Sequence, residues 1–244
     1  MIIDHDSRFV FLAVPKTAST SIETSICKYL IKSYNSVFTR TENIDFSTTE
    51  RGWVQTYAEP WFVDKGINVL PISNVNDHTT QLHKHSSLQT VCDVMNISDY
   101  YTFCCVRNSW DLVLSWYFYY NKLYKRGELH STIVEAFGTD WINCSFNQFV
   151  DRCPEFIFTN QLSYTSSKYK QINYIMRYDK LNIDWMSVSK DLFGEALTLP
   201  RMNTTNHSSY VNHYDEETRN KVTRRCQRDI VEFGFKYGQD YVDF

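Results

Sequence analysis

An α/β fold, with a central parallel sheet flanked by helices in three layers, is what this sequence predicts. Three observations carry that reading. Apolar runs of strand length occupy residues 9–14, 101–106 and 173–176. Each is followed by a stretch that reads as a helix, over 19–34, 110–125 and 184–193, and repeated strand–loop–helix units point to a parallel sheet. No internal repeat and no Gly/Ser- or Pro-rich linker divides the 244 residues, so a single domain spanning 1–244 is expected.

Taken in order, residues 9–14 form a short β-type run, with a helix over 19–34 behind it. Residues 35–83 are irregular and polar and contain Pro60 and Pro71, which predicts loops with a short strand near 67–72. Leu88, Val91, Cys92 and Met95 give 86–95 helical spacing. The run at 101–106 feeds a helix over 110–125 that is rich in aromatic residues. The strand at 173–176 leads to the helix ending at 193, and 215–233 reads as a final amphipathic helix.

Composition narrows the function classes. With 43% hydrophobic and 16% aromatic residues the chain can bury a sizeable core and is not disordered. A net charge of −3 excludes the basic footprint of a general nucleic-acid binder. The seven cysteines form no Cys-x-x-Cys pair, which argues against a zinc ribbon or thioredoxin-type site and for reduced, mostly buried thiols. The first apolar run is far too short to span a membrane, so a cytoplasmic protein without membrane attachment is expected, and the sequons at Asn96, Asn143, Asn203 and Asn206 are expected to be unused.

Two segments carry chemistry. In the first, the strand at 9–14 ends in Pro15 and Lys16, and Thr17, Ala18, Ser19, Thr20 and Ser21 open the helix. A helix start offers backbone N–H groups and the positive end of the dipole to an anion; the hydroxyls and Lys16 add donors and charge. Thr20 and Glu23 also have capping-box spacing, so the same residues fit a well-capped helix. A Walker A loop is excluded, because the segment has no glycine. In the second segment, the strand at 101–106 delivers Arg107, and Asn108-Ser109-Trp110-Asp111 turns the chain into a helix that carries Ser115. The planar fork of an arginine suits a phosphate, although a strand-end salt bridge is the plainer use of Arg107. The strand ends in Arg107 rather than an Asp that could hold magnesium, which disfavours a metal-dependent kinase.

These two segments resemble the donor-binding motifs of the sulfotransferases that use 3′-phosphoadenosine 5′-phosphosulfate (PAPS), and most closely their carbohydrate-type, family-2-like branch. The resemblance implies a P-loop-like form of the predicted fold. It implies that residues 16–21 (Lys16, Thr17, Ala18, Ser19, Thr20, Ser21) bind the 5′-phosphosulfate, with Ala18 standing where glycine is commoner. It implies that Arg107 and Ser115 bind the 3′-phosphate, with Ser109 and Leu112 replacing the usual proline and arginine. The stretch Gln81-Leu82-His83-Lys84-His85 matches the placement of the family's catalytic base, which makes His85 the candidate, His83 its competitor, and Lys84 either an aid to the bridging oxygen or a solvated charge. Lys16 is expected to stabilise the leaving phosphate, with no metal required. Tyr178 is a candidate adenine contact or a core tyrosine, and Asn203 and Thr204 sit in a loop like the one that closes over the nucleotide. Lys221, Arg224, Arg225 and Arg228 form either a solvated basic face or an anion site.

The expected activity is sulfuryl transfer by in-line displacement to a hydroxyl or amine of a small-molecule or carbohydrate acceptor. The alternatives are a nucleotide-binding module without catalysis, or a small-molecule P-loop kinase. Acceptor identity, regiochemistry and oligomeric state are not readable from these residues.

Overall fold

The computed structural model describes residues 1–34, 52–54, 82–128, 131–137, 144–158, 160–202 and 208–238. In chain order the elements are β1 (Ile2–Asp4), β2 (Phe9–Leu12), α1 (Ser19–Tyr34), β3 (Gly52–Val54), α2 (Leu88–Val94), β4 (Tyr101–Val106), α3 (Ser109–Lys125), α4 (Ser131–Phe137), α5 (Phe146–Arg152), α6 (Gln161–Thr165), β5 (Tyr174–Arg177), α7 (Leu181–Phe193), α8 (Glu216–Arg225) and α9 (Gln227–Glu232). Single 3₁₀ turns cover Glu155–Phe158, Tyr178–Lys180 and Tyr210–His213. This is a mixed α/β fold with helices flanking one sheet. The chain divides into two compact units, Met1–Val106 with Ser163–Asn203, and Arg107–Leu162 with Thr204–Phe244.

The first unit holds the sheet, in the order β3-β1-β2-β4-β5. Strands β2, β4 and β5 are parallel, pairing Phe11 with Phe103 and Val106 with Arg177. The expectation of a parallel sheet is corrected at one side, where β1 runs antiparallel to both β2 and β3. Only four residues join β1 to β2, and so short a link makes a hairpin, whereas parallel neighbours need a crossover. All four β2 side chains and the last five of β4 are buried, which is why both read as unbroken apolar runs. Phe103 packs against Phe11 at 5.3 Å, Phe9 at 6.0 Å and Trp185 of α7 at 6.5 Å between ring centroids. On α1, the apolar residues Ile22, Ile26 and Leu30 recur at four-residue spacing and are fully buried.

In the second unit, Asn108 caps α3 by accepting from the Trp110 N–H, and α3 packs its buried Trp110 edge-on against Tyr237. The single helix expected over 215–233 is two. Asp215 caps α8, which stops at Arg225, and α9 follows after Cys226. No Gly or Pro marks the break. Beyond the break, Asp229 of α9 accepts from the Gln161 and Leu162 N–H groups, at 2.7 and 3.0 Å. Two of the four cations of the basic face left open above are paired within this unit. Lys221 pairs with Asp151 and Glu217, and Arg225 pairs with Glu155 while its guanidinium lies 3.3 Å over the Phe158 ring. The strand expected near 67–72 lies outside the described residues. All seven cysteines are free thiols, buried except for the half-buried Cys92.

Candidate active site

Strands β2, β4 and β5 end side by side at Leu12, Val106 and Arg177, so the segments after them leave from one edge of the sheet. That is the edge where ligands bind in α/β folds. After β2 the chain turns through Val14 and Pro15 into a loop in which Lys16 and Ala18 adopt left-handed backbone angles, φ 63° and 62°. Left-handed residues near a helix start can turn backbone N–H groups toward one point, the arrangement that anion-binding nests use. The Thr17 hydroxyl donates inward to the Val14 carbonyl at 2.9 Å and braces the turn. Helix α1 starts at Ser19, and the Ala18 carbonyl accepts from the Ser21 and Ile22 N–H groups at 3.0 and 3.2 Å. The N–H groups of Ser19 and Thr20 therefore precede the first helical bond. Ser19 and Ser21 are buried and Thr20 is half-buried.

The capping-box alternative for this segment is overturned. Thr20 lies inside the helix rather than at its cap, and Glu23 turns away into the unit. One Glu23 carboxylate oxygen accepts from the Met1 amino group at 2.5 Å and the other from Lys84 Nζ at 2.6 Å. Burial alone pushes the Glu23 carboxyl up, but these two cations together hold it below its usual range.

A left-handed alanine is strained by about 1 kcal/mol or more relative to glycine. Ala18→Gly is accordingly expected to stabilise the protein by about 1 kcal/mol, read as a higher urea midpoint at unchanged slope. An unchanged midpoint would mean that Ala18 is not held left-handed.

His85 lies at the root of the same loop. Its Nδ1 is 2.5 Å from the Ala13 carbonyl oxygen. A carbonyl can only accept, so Nδ1 carries the proton and the neutral ring keeps its lone pair on Nε2. Burial lowers the His85 pKa to about 4, so the ring is neutral near pH 7. His83 serves the turn instead: its N–H donates to Ser86 Oγ at 2.8 Å, and its Nδ1 accepts from the His85 N–H at 3.1 Å. Lys84 is not a solvated charge. It is 4% exposed and bound to Glu23.

In the second unit, Arg107 is buried and forms a two-pronged pair with Asp111, with Nε at 2.7 Å and Nη2 at 3.0 Å from its carboxylate oxygens. The Gln161 side chain brackets the Arg107 backbone, accepting from its N–H and donating to its carbonyl, both at 2.8 Å. Ser115 is buried one turn further along α3, and its hydroxyl donates to the Leu112 carbonyl at 2.9 Å. Tyr178 stands half-buried in the 3₁₀ turn just after β5, beside the Arg177–Asp179 pair. Asn203 and Thr204 lie outside the described residues.

Residues 1–236 match the model of the Sulfotransferase family. The chain is a member of the Sulfotransferase family. No curated protein and no solved structure gives a significant match. Membership makes the protein a transferase of that family. Sequence reasoning missed four contributors to the two segments that carry Lys16 and Arg107. Asp111 stands four residues after Arg107, a spacing that signals an ion pair on a helix. Gln161 and Asp229 lie far along the chain, and nothing local announces them. Glu23 was visible, but as a cap. Among the described residues no cluster of His, Cys, Asp or Glu is arranged to hold a metal ion, and no helix is long and apolar enough to cross a membrane.

Proposed function

We propose that this sulfotransferase moves the sulfuryl group of PAPS onto a hydroxyl or amine of a small-molecule or carbohydrate acceptor, with residues 1–244 acting as one domain of three-layer, P-loop-like design. The observation that supports it best is the bond from His85 to Ala13, because it sets a neutral imidazole, with Nε2 as its basic nitrogen, at the root of the anion-binding loop. The bound donor supplies the sulfuryl group and leaves as the 3′,5′-bisphosphate.

In this reading the chain's own residues do the rest. The backbone N–H groups of 16–21, with the hydroxyls of Ser19, Thr20 and Ser21, bind the 5′ end, and the left-handed Lys16 and Ala18 fit that use. Lys16 meets the negative charge that develops at the bridging oxygen. His85 Nε2 accepts the acceptor's proton. Arg107 and Ser115 hold the 3′-phosphate, Tyr178 lies against the adenine, and Asn203 and Thr204 close over the nucleotide. Seven free thiols support a reducing compartment, hence a cytoplasmic acceptor.

The test is thermal unfolding with 3′-phosphoadenosine 5′-phosphate, with adenosine 5′-monophosphate, and with ATP and magnesium. At one hundred times its Kd the bisphosphate is expected to add about 2.7 kcal/mol of stability, and the monophosphate much less. Stabilisation by ATP and magnesium alone would replace this reading with a kinase, and no shift from any of them would remove the donor site.

A further inference from the structure

The turn 83–86 is fastened to the anion loop on both of the loop's flanks. Before the loop, Ala13 accepts from His85 Nδ1. After it, on the second turn of α1, Glu23 accepts from Lys84 Nζ. Lys84 and His85 are neighbours in sequence, so their two side chains grip the two ends of one segment, residues 13–23. The Glu23–Lys84 pair is buried, with side chains 0% and 5% exposed. Within the turn, the bonds from His83 N to Ser86 Oγ and from Ser86 N to the His83 carbonyl fix the backbone between these grips.

We infer that Lys84 and Glu23 are positioning residues, which hold the turn so that the His85 ring stays in register with the Ala13 carbonyl and presents Nε2 as its basic nitrogen. The inference rests on the reading of His85 as the base, but its geometry is independent of the donor. A buried ion pair adds little net stability over a well-packed neutral pair. Placing this one beside His85 therefore serves direction more than stability. Without it the turn loses its anchor on the α1 side of the loop, and rotation of the turn exchanges the two nitrogens.

The neutral double replacement Glu23→Gln with Lys84→Met separates positioning from folding, because it removes both charges of the pair and keeps an acceptor at position 23 for the Met1 amino group, whose pKa burial lowers to about 6 so that it can lose its proton near neutral pH. The primary readout is the ¹⁵N shifts of the His85 ring at neutral pH, in the folded full chain without ligand. The wild-type protein is expected to show a protonated Nδ1 and an unprotonated Nε2. In the double variant the two shifts are expected to converge toward a common average. Sulfuryl transfer by the double variant is expected to fall at least about tenfold in kcat, with the Kd for the bisphosphate within about threefold. A folded double variant whose His85 keeps the wild-type ring signals and kcat would overturn the inference. Should the double variant unfold, Lys84→Met alone, which leaves Glu23 paired with the Met1 amino group, is read by the same shifts, with partial convergence expected and unchanged signals overturning the inference. A wild-type chain with fixed ring signals but no transfer from PAPS would sink the functional reading and leave the positioning intact.

Discussion

His85→Asn is expected to lower kcat by about a thousandfold, within the range set by loss of a general base, while the protein stays folded. Asparagine can still donate its amide to the Ala13 carbonyl, which His85 Nδ1 now binds at 2.5 Å, but it offers no basic nitrogen. His83→Asn removes a residue whose ring nitrogen serves the turn, and kcat is expected to stay within about twofold. Comparable losses from both variants would shift the base to His83. The pH dependence follows from burial. It lowers the His85 pKa from its ordinary 6.5 to about 4. The free enzyme therefore keeps its base unprotonated on acidification through pH 6.5, and the acid limb of kcat/KM is expected near pH 4. With the donor bound as proposed, its phosphate groups add negative charge beside the ring and favour its protonated form. The acid limb of kcat is accordingly expected at higher pH than that of kcat/KM. Stability carries the same sign. Between about 4 and 6.5 the unfolded chain binds the proton and the folded one does not, so stability falls as pH drops through that window. In His85→Asn this part of the fall is expected to disappear. A coincident pair of limbs near 6.5 would mean that the imidazole is solvated and the burial argument is wrong.

What the sequence made legible was whatever a single residue type or a short period announces. Strand β4 and the start of α1 are where the apolar pattern put them, because unbroken burial on both faces leaves an unbroken apolar run. Strand β1 escaped because three residues ending in a buried aspartate make no pattern, and β1 is what turns a parallel sheet into a mixed one. The turn after β2 into α1 was legible in the apolar pattern and the Pro15-Lys16 pair, but the left-handed angles at Lys16 and Ala18 were not, since glycine is the usual marker of such positions. Of the two uses open for Lys84, the solvated one fails for a similar reason. A lysine defaults to solvent, and only the position of Glu23, sixty-one residues earlier, reveals that it is buried and paired. The bracket on Arg107 is the extreme case: Gln161 reaches it through folding alone, with its own N–H held by Asp229.

That bracket makes Arg107 a clean site for the second large effect. Gln161 holds only the backbone N–H and carbonyl of Arg107, so the backbone keeps its place whatever side chain stands there. The side chain is held separately, by the fork to Asp111. Arg107→Lys keeps the charge but loses the planar fork, and affinity for 3′-phosphoadenosine 5′-phosphate is expected to fall by about 2 kcal/mol, roughly thirtyfold. Arg107→Ala is expected to lose more affinity and also stability. It strands the Asp111 carboxylate, whose side chain is only 12% exposed, and an orphaned buried charge costs about 3 kcal/mol. Adding Asp111→Asn removes that orphan. The double variant is expected to recover most of the unfolding midpoint and none of the affinity, because the phosphate contact is still missing. Affinity for adenosine 5′-monophosphate, which lacks the 3′-phosphate, is expected to be nearly equal in all of these proteins. The difference between the two ligands thus reads the Arg107 contact alone, with fold and nucleoside binding cancelled. Should the double variant bind the bisphosphate as the wild type does, the 3′-phosphate lies elsewhere, and the Arg107–Asp111 pair is a helix-start ion pair and nothing more.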